Sequence, residues 1–212
     1  MSVQRDTGAI GFAEKLLALL EDGNFTATYK YAVLLGLIDL CLEQACHTGA
    51  APTVITTRQL AEKVLELYWP HTVPFRATQS VVLRQNTVGQ AEILSAIEHF
   101  RTAADPASGT SLGQARIRAT GLFDKLARRV EWKLIEMPLP RLQVMGNQEH
   151  RFVYDIAWSK DIRRADVLKG TEFDNRIQLV GAAGEHLVAL AGLLRRSSKG
   201  NGRRWWPRST KR

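Results

Sequence analysis

Apolar side chains recur every three or four positions through the first 130 residues of the chain, which is the period of an amphipathic helix. The spacing predicts helices at about residues 12–20, 26–44, 57–69, 90–100 and 111–129, with a loop over 70–90. Thr56 and Gln59 have the spacing of a capping box at the start of the third helix. The positions predicted to be buried are Leu60, Ala61, Val64, Leu65 and Tyr68 in that helix and Leu112, Ala115, Ala119, Leu122, Phe123 and Leu126 in the fifth.

After residue 130 the period changes toward two, which is the period of a strand. The residues that indicate a first strand are Trp132, Leu134, Ile135 and Met137, and those of a second strand are Phe152, Tyr154, Ile156 and Trp158. A turn over 145–149 joins them, and a short strand near 176–180 and a helix over 183–194 follow. We therefore predict an α+β fold, a mainly helical protein with a small antiparallel sheet, including a winged-helix-like hairpin, before the last helix.

Turn-forming residues at 102–109 divide the chain into three predicted parts. Residues 1–109 form a helical region, and residues 110–194 form a helix, the small sheet and a closing helix. Residues 195–212 form a basic disordered tail. This tail holds eight of the 29 Lys and Arg residues and no acid, so the rest of the chain has 21 bases and 21 acids. The formal net charge of +8 therefore belongs to the tail alone.

The composition is that of an ordinary globular protein, with 45% hydrophobic and 24% charged residues. No apolar run is long enough to span a bilayer, and the first residues lack the basic-then-apolar order of a signal peptide. Cys41 and Cys46 lie five residues apart on a predicted helix, where a disulfide has poor geometry. We expect a cytoplasmic protein with no membrane contact.

The outer face of the predicted helix 111–129 carries five bases, Arg116, Arg118, Lys125, Arg128 and Arg129, and Arg163 and Arg164 follow the predicted hairpin. In a winged-helix layout such a helix and hairpin contact the phosphates of DNA. These seven residues are the candidate DNA contacts. The alternative is that they form only the charged outer face of an amphipathic helix, because Asp124 and Glu131 lie among them.

Few residues suggest catalysis. The five histidines are dispersed, and no zinc, phosphate-loop or dinucleotide motif occurs in the sequence. Asp124, Glu131 and Lys133 imitate the acid and lysine set of metal-dependent nucleases, in which carboxylates hold Mg²⁺ and the lysine orients a water. The alternative is a solvated junction between helix and strand. We predict no metal site and no cofactor in this chain.

Five segments resemble the amino-terminal region of bacterial, largely actinobacterial, HNH endonucleases over about residues 10–194. The segments are FTATYKYAVLLGLIDLCLE (25–43), TTRQLAEKVLELYWPHT (56–72), VLRQN (82–86), MPLPRLQ (137–143) and FDNRI (173–177). In that family a carboxy-terminal module carries a Cys-x-x-Cys zinc pair and an Asp-His pair, neither of which occurs in this chain. The resemblance implies the DNA-recognition or scaffolding part of a nuclease, inactive alone, with a divalent metal only in the missing module.

The tail suggests why the module is missing. A DNA sequence can be written that encodes residues 195–210 and that, with one C inserted after its first codon, encodes RPLIQRQWAAMVATLN instead. This second sequence has the pattern of a continued amphipathic helix. We hypothesise that the chain is a single-base frameshift product of a full-length nuclease gene. The alternative is a genuine basic arm, since Arg203, Arg204, Trp205 and Trp206 combine charge with groups that stack on bases. A second alternative for the whole chain is a protein-interaction or regulatory module, with a protein partner or self-association, that has DNA affinity only through its tail.

Overall fold

The structure, a computed structural model, describes residues 8–21, 28–72, 92–105, 109–169 and 173–200. Most of the predicted loop 70–90 and residues 201–212 of the predicted tail lie outside these ranges. The helices are α1 (Ala9–Glu21), α2 (Thr28–Thr48), α3 (Thr57–Tyr68), α4 (Glu92–Ala104), α5 (Leu112–Arg118), α6 (Thr120–Glu136), α7 (Arg164–Lys169) and α8 (Ala183–Gly200). The strands are β1 (Val54–Thr56), β2 (Val144–Met145), β3 (Gln148–Glu149), β4 (Tyr154–Ile156) and β5 (Arg176–Leu179), and short 3-10 turns span Trp69–Thr72 and Leu139–Arg141.

The core forms where α2 packs against α3 and α8, and α3 packs against α6. Leu37 of α2, Leu60 of α3 and Val130 of α6 are fully buried there. α8 includes residues 195–200 of the predicted tail. Its start lies so close to the chain before β1 that a Cβ on Gly184 would lie 2.9 Å from the Pro52 carbonyl oxygen. Only glycine fits this approach without a backbone shift.

The predicted start of the third helix is confirmed. The Thr56 hydroxyl accepts a hydrogen bond from the Gln59 amide at 3.2 Å, and the Gln59 side-chain oxygen accepts one from the Thr56 amide at 2.8 Å. These reciprocal bonds satisfy amides that have no partner inside the helix. All five positions predicted to be buried in α3 are buried, and they are Leu60, Ala61, Val64, Leu65 and Tyr68.

The fold class is confirmed as mainly helical with a small antiparallel sheet. The three-stranded sheet has the order β1-β5-β4, and Ile177 of the central strand lies opposite Ile55 on one side and Ile156 on the other. A separate hairpin, β2-β3, turns through Gly146 and Asn147, both with positive φ. This hairpin confirms the predicted turn at 145–149. β1 comes from the first half of the chain, so the sheet joins segments that are distant in sequence.

The segment predicted as the first strand, 132–137, is instead helical up to Glu136. α6 starts after a break at Ala119, where φ is −137° and ψ is 53°. Leu134 and Ile135 are both buried on this helix. An adjacent apolar pair fits a wide helical stripe as well as a buried strand, so the period alone cannot distinguish the two. The predicted winged-helix-like hairpin is therefore wrong in its first strand.

Leu122 corrects a second prediction, because its side chain is 46% exposed. The break at Ala119 restarts the helical period, and positions on α6 no longer continue the face that α5 buries.

The two cysteines are free as predicted, Cys41 buried and Cys46 exposed. Burial raises the pKa of the Cys41 thiol to about 12. Among the described residues no helix is long and apolar enough to cross a membrane.

Gln143 holds the loop after α6 against β4. Its side-chain nitrogen donates to the Tyr154 carbonyl at 2.7 Å, and its side-chain oxygen accepts from the amides of Val153 at 2.8 Å and Tyr154 at 3.3 Å. The Tyr154 hydroxyl donates to the Leu139 carbonyl at 2.9 Å, and burial raises the pKa of this phenol. One buried side-chain amide thus provides hydrogen-bond partners for backbone groups of Val153 and Tyr154.

Gln143→Ala is expected to lower the free energy of unfolding by about 3 kcal/mol, because it leaves buried backbone groups of β4 without partners. Urea unfolding measures the change. The matched control is Gln148→Ala on the exposed hairpin, which should stay within about 0.5 kcal/mol of the parent protein. Equal losses for the two variants would contradict the role of Gln143.

Candidate nucleic-acid interface

α6 has one buried and one basic face. Its buried side chains are Phe123, Leu126, Ala127, Val130, Leu134 and Ile135. Lys125, Arg128 and Arg129 are exposed, and their spacing of three and four places them together on the helix surface. α5 precedes this face in the chain, packs against α6 and carries exposed Arg116 and Arg118. We call Arg118, Lys125, Arg128 and Arg129 the basic ridge.

A chain of ion pairs connects part of this surface to α3. Glu62 pairs with Arg116 at 3.0 Å and with Arg58 at 3.0 Å, and Arg58 also reaches Asp124 at 2.9 Å. Asp124 then pairs with Arg128 of the basic ridge. The hydrogen bond from Arg58, opposed by partial burial, keeps the pKa of Asp124 below its usual value. Alternating charges therefore hold α3, α5 and α6 together.

A second group of ion pairs connects α6 to α4. Glu92 pairs with Arg129 at 3.3 Å and with Lys133 at 3.0 Å, and Lys133 also pairs with Glu136 at 2.7 Å. The hydrogen bond from Lys133, more than any other contact, lowers the pKa of Glu92. Partial burial lowers the pKa of Lys133, but the hydrogen bonds and charges of Glu136 and Glu92 outweigh this effect, so the pKa is raised overall. These pairs neutralise one side of α6.

The structure thus divides the seven predicted DNA contacts into three groups. Arg116, Arg128 and Arg129 are ion-paired. Arg118 and Lys125 are exposed and make no ion pair with any residue that the structure describes. Arg163 and Arg164 are exposed on a different element, at the start of α7, where the Arg163 amide donates to the Asp166 carboxylate at 3.0 Å. Only the first five share the α5–α6 surface.

Asp124, Glu131 and Lys133 do not converge on a common point. All three lie on α6 rather than at a strand, and seven residues of helix separate the two acids by about 10 Å along the axis. Glu131 accepts a hydrogen bond from the Thr57 hydroxyl at 2.6 Å, while Asp124 and Lys133 belong to the two ion-pair groups. Within the described ranges no group of three or more His, Cys, Asp or Glu residues could hold a metal ion.

The most buried charged cluster was not predicted from the sequence. Arg101 of α4 is only 4% exposed, and its guanidinium carbon lies 3.5 Å from the ring centroid of Trp69. The guanidinium donates to the Trp69 carbonyl at 2.6 Å, to the Thr72 hydroxyl at 3.0 Å and to Asp105 at 3.2 Å. The spacing of Arg101 and Asp105 is the signal that could have indicated an ion pair. Their burial depends on Trp69, which is distant in sequence.

Asp105 completes the cluster. Its carboxylate accepts hydrogen bonds from the amides of Thr110 at 3.1 Å and Gly109 at 3.4 Å. Burial opposes the charged form, but these bonds and the Arg101 charge outweigh it and lower the pKa of Asp105. Burial lowers the pKa of the Arg101 guanidinium, with Asp105 opposing. Every charged group here has a protein partner, so the cluster joins α4 to two loops and offers no reactive group.

Comparison with known proteins gives one match. A family model described as "Domain of unknown function (DUF8808)" matches residues 7–180. No curated protein and no solved structure matches the chain.

The Asp105 carboxylate is expected to make stability depend on pH. Its folded pKa is below its unfolded value, so its contribution is fully present above the unfolded pKa of about 3.9 and is lost as the pH falls through the folded pKa. The difference in unfolding free energy between the parent protein and Asp105→Asn should therefore shrink below about pH 4. Urea titrations across pH measure it, with exposed Asp161→Asn as the control. A difference that does not vary with pH would contradict an ionised Asp105.

Supercoiled plasmid should survive incubation with the pure protein and Mg²⁺ or Mn²⁺. The reason is that Asp124 and Glu131 are too far apart along α6 to share an ion and already bind other groups. Agarose electrophoresis checks the result. Nicking that disappears in the double variant Asp124→Asn with Glu131→Gln would show that these acids do form a nuclease site.

Proposed function

Because the chain belongs to the DUF8808 family of domains of unknown function over residues 7–180, we propose a function from its own residues and surface. The chain is the DNA-binding amino-terminal region of an HNH-type endonuclease, and cleavage belongs to a separate module. The segments that resemble those enzymes support the enzyme class. The Cys-x-x-Cys and Asp-His pairs of the nuclease module do not occur in these 212 residues. With this role on DNA we propose a cytoplasmic location.

The observation that carries DNA binding is the pair Arg118 and Lys125. Both are exposed on the α5–α6 surface, and neither is neutralised by an acid of the described part of the chain. A phosphate can therefore approach them without displacing a protein carboxylate.

Arg128 and Arg129 extend this surface at low cost. Their ion pairs with Asp124 and Glu92 are exposed, and exposed pairs contribute only about 0–1 kcal/mol each. DNA phosphates can replace these carboxylates as partners of Arg128 and Arg129, because the two arginine side chains are long and lie at the protein surface. Counting only partners within the described ranges, the basic ridge thus offers two unpaired cations, Arg118 and Lys125, and two weakly paired ones, Arg128 and Arg129.

The second candidate is the protein-interaction or regulatory module. The observation that favours it is the charge balance, because residues 1–194 contain 21 bases and 21 acids and most bases of α6 are ion-paired. Any DNA affinity would then come from the basic tail. The two candidates differ in which residues carry the salt-dependent part of binding.

The full chain is expected to bind duplex DNA with an affinity that falls as salt rises. The double variant Arg118→Ala with Lys125→Ala should bind more weakly and reduce the slope of log affinity against log salt by about 1.8, which corresponds to two phosphate contacts. Fluorescence anisotropy across a salt series measures both quantities. The charge-matched control is Lys15→Ala with Lys160→Ala, two exposed lysines outside α5 and α6.

A background variant separates the ridge from the tail. In it, Arg203, Arg204, Arg208, Lys211 and Arg212 are replaced by Gln. If this background loses all salt-sensitive binding, the tail is the DNA contact and the second candidate holds. If it still binds and the Arg118 and Lys125 changes weaken binding further, the ridge is the contact.

A further inference from the structure

The corner between α5 and α6 presents an exposed apolar side chain. Ile117 is 80% exposed, which is more than any other large hydrophobic residue that the structure reports as exposed. The corner is held in place, because the Thr120 hydroxyl donates to the carbonyls of Arg116 at 3.1 Å and Ile117 at 3.4 Å. The Phe123 amide also donates to the Ala119 carbonyl at 2.9 Å. Ile117 therefore protrudes from a defined backbone.

Basic residues lie close to Ile117 in the sequence. Arg116 and Arg118 are its direct neighbours, and Lys125 follows exposed Leu122 by one helical turn. Arg116 is neutralised by Glu62, so two copies of this surface would bring the unpaired Arg118 and Lys125 of each chain against those of the other, which disfavours self-association. A polyanion with an apolar interior has the complementary chemistry, and a DNA duplex has phosphates outside and bases inside.

We infer that Ile117 is an apolar wedge that enters a groove of duplex DNA and contacts the bases, while Arg118 and Lys125 bind the flanking phosphates. This inference rests on the proposed DNA-binding function. Proteins that bend DNA commonly insert isoleucine, leucine or methionine at a base step, and flanking cations fix their position. Ile117 thus supplies contact with bases that the basic ridge alone does not provide.

Ile117→Ser tests the inference in the full chain. We expect roughly tenfold weaker binding to a mixed-sequence duplex, which is the loss expected when one isoleucine no longer buries its side chain. The slope of log affinity against log salt should not change, because an apolar contact releases no counterion. Energy transfer between dyes on the duplex ends should show less bending. Ile117→Met should retain affinity and bending, because methionine can also act as a wedge.

Ile10→Ser is the matched control, because Ile10 is 77% exposed on α1. It should leave affinity unchanged. The inference is overturned if Ile117→Ser binds within about twofold of the parent chain, or if both serine variants lose affinity equally. It is also overturned if Ile117→Ser abolishes self-association in sedimentation while DNA affinity stays the same, because Ile117 then contacts protein. Failure of the proposed function can be distinguished from failure of this inference. Only if the proposed function fails does the double variant Arg118→Ala with Lys125→Ala bind DNA with the affinity of the parent chain.

Discussion

The packing of α6 against α3 is the contact on which the other parts of the structure depend. Leu60 and Val64 of α3 and Val130 and Leu134 of α6 are at most 1% exposed. β1 leads directly into α3, so this helix also places one outer strand of the sheet. The inner face of α6 is fixed by apolar burial, and its outer face is consequently fixed as the basic surface. Stability and the candidate interface are thus two sides of one helix.

Several ion pairs of the molecule join its helices to one another. Arg58 links Glu62 and Asp124, and Lys63 links Glu43 of α2 to Glu66 of α3. A count of bases along α6 therefore overstates the positive field that DNA would meet. The cations that matter for a phosphate are the ones without an internal partner, and they can be identified only after the helices are packed.

Local signals predicted the elements that local forces determine. The helix start at Thr56, the turn at 145–149 and the buried face of α3 follow from capping, turn chemistry and period. β1 was not predicted because three residues form a strand only when β5 lies beside them. Likewise, the exposure of Leu122 depends on the break at Ala119, and the burial of Arg101 depends on Trp69. These three misses concern a partner that is distant in sequence or a change of helical phase. The strand predicted over 132–137 failed for a different reason, because an adjacent apolar pair fits a wide helical stripe as well as a strand.

The glutamine bonds around the sheet have a consequence for its association with other chains. β1 and β4 are the outer strands, and each has only three residues. The Gln59 side chain accepts a hydrogen bond from the Thr56 amide on β1. The Gln143 side chain accepts one from the Tyr154 amide and donates one to the Tyr154 carbonyl on β4. An incoming strand would need these same groups to extend the ladder. Among the described strands, these side-chain amides therefore cover part of both outer edges of the three-stranded sheet, which hinders edge-to-edge pairing with an incoming strand.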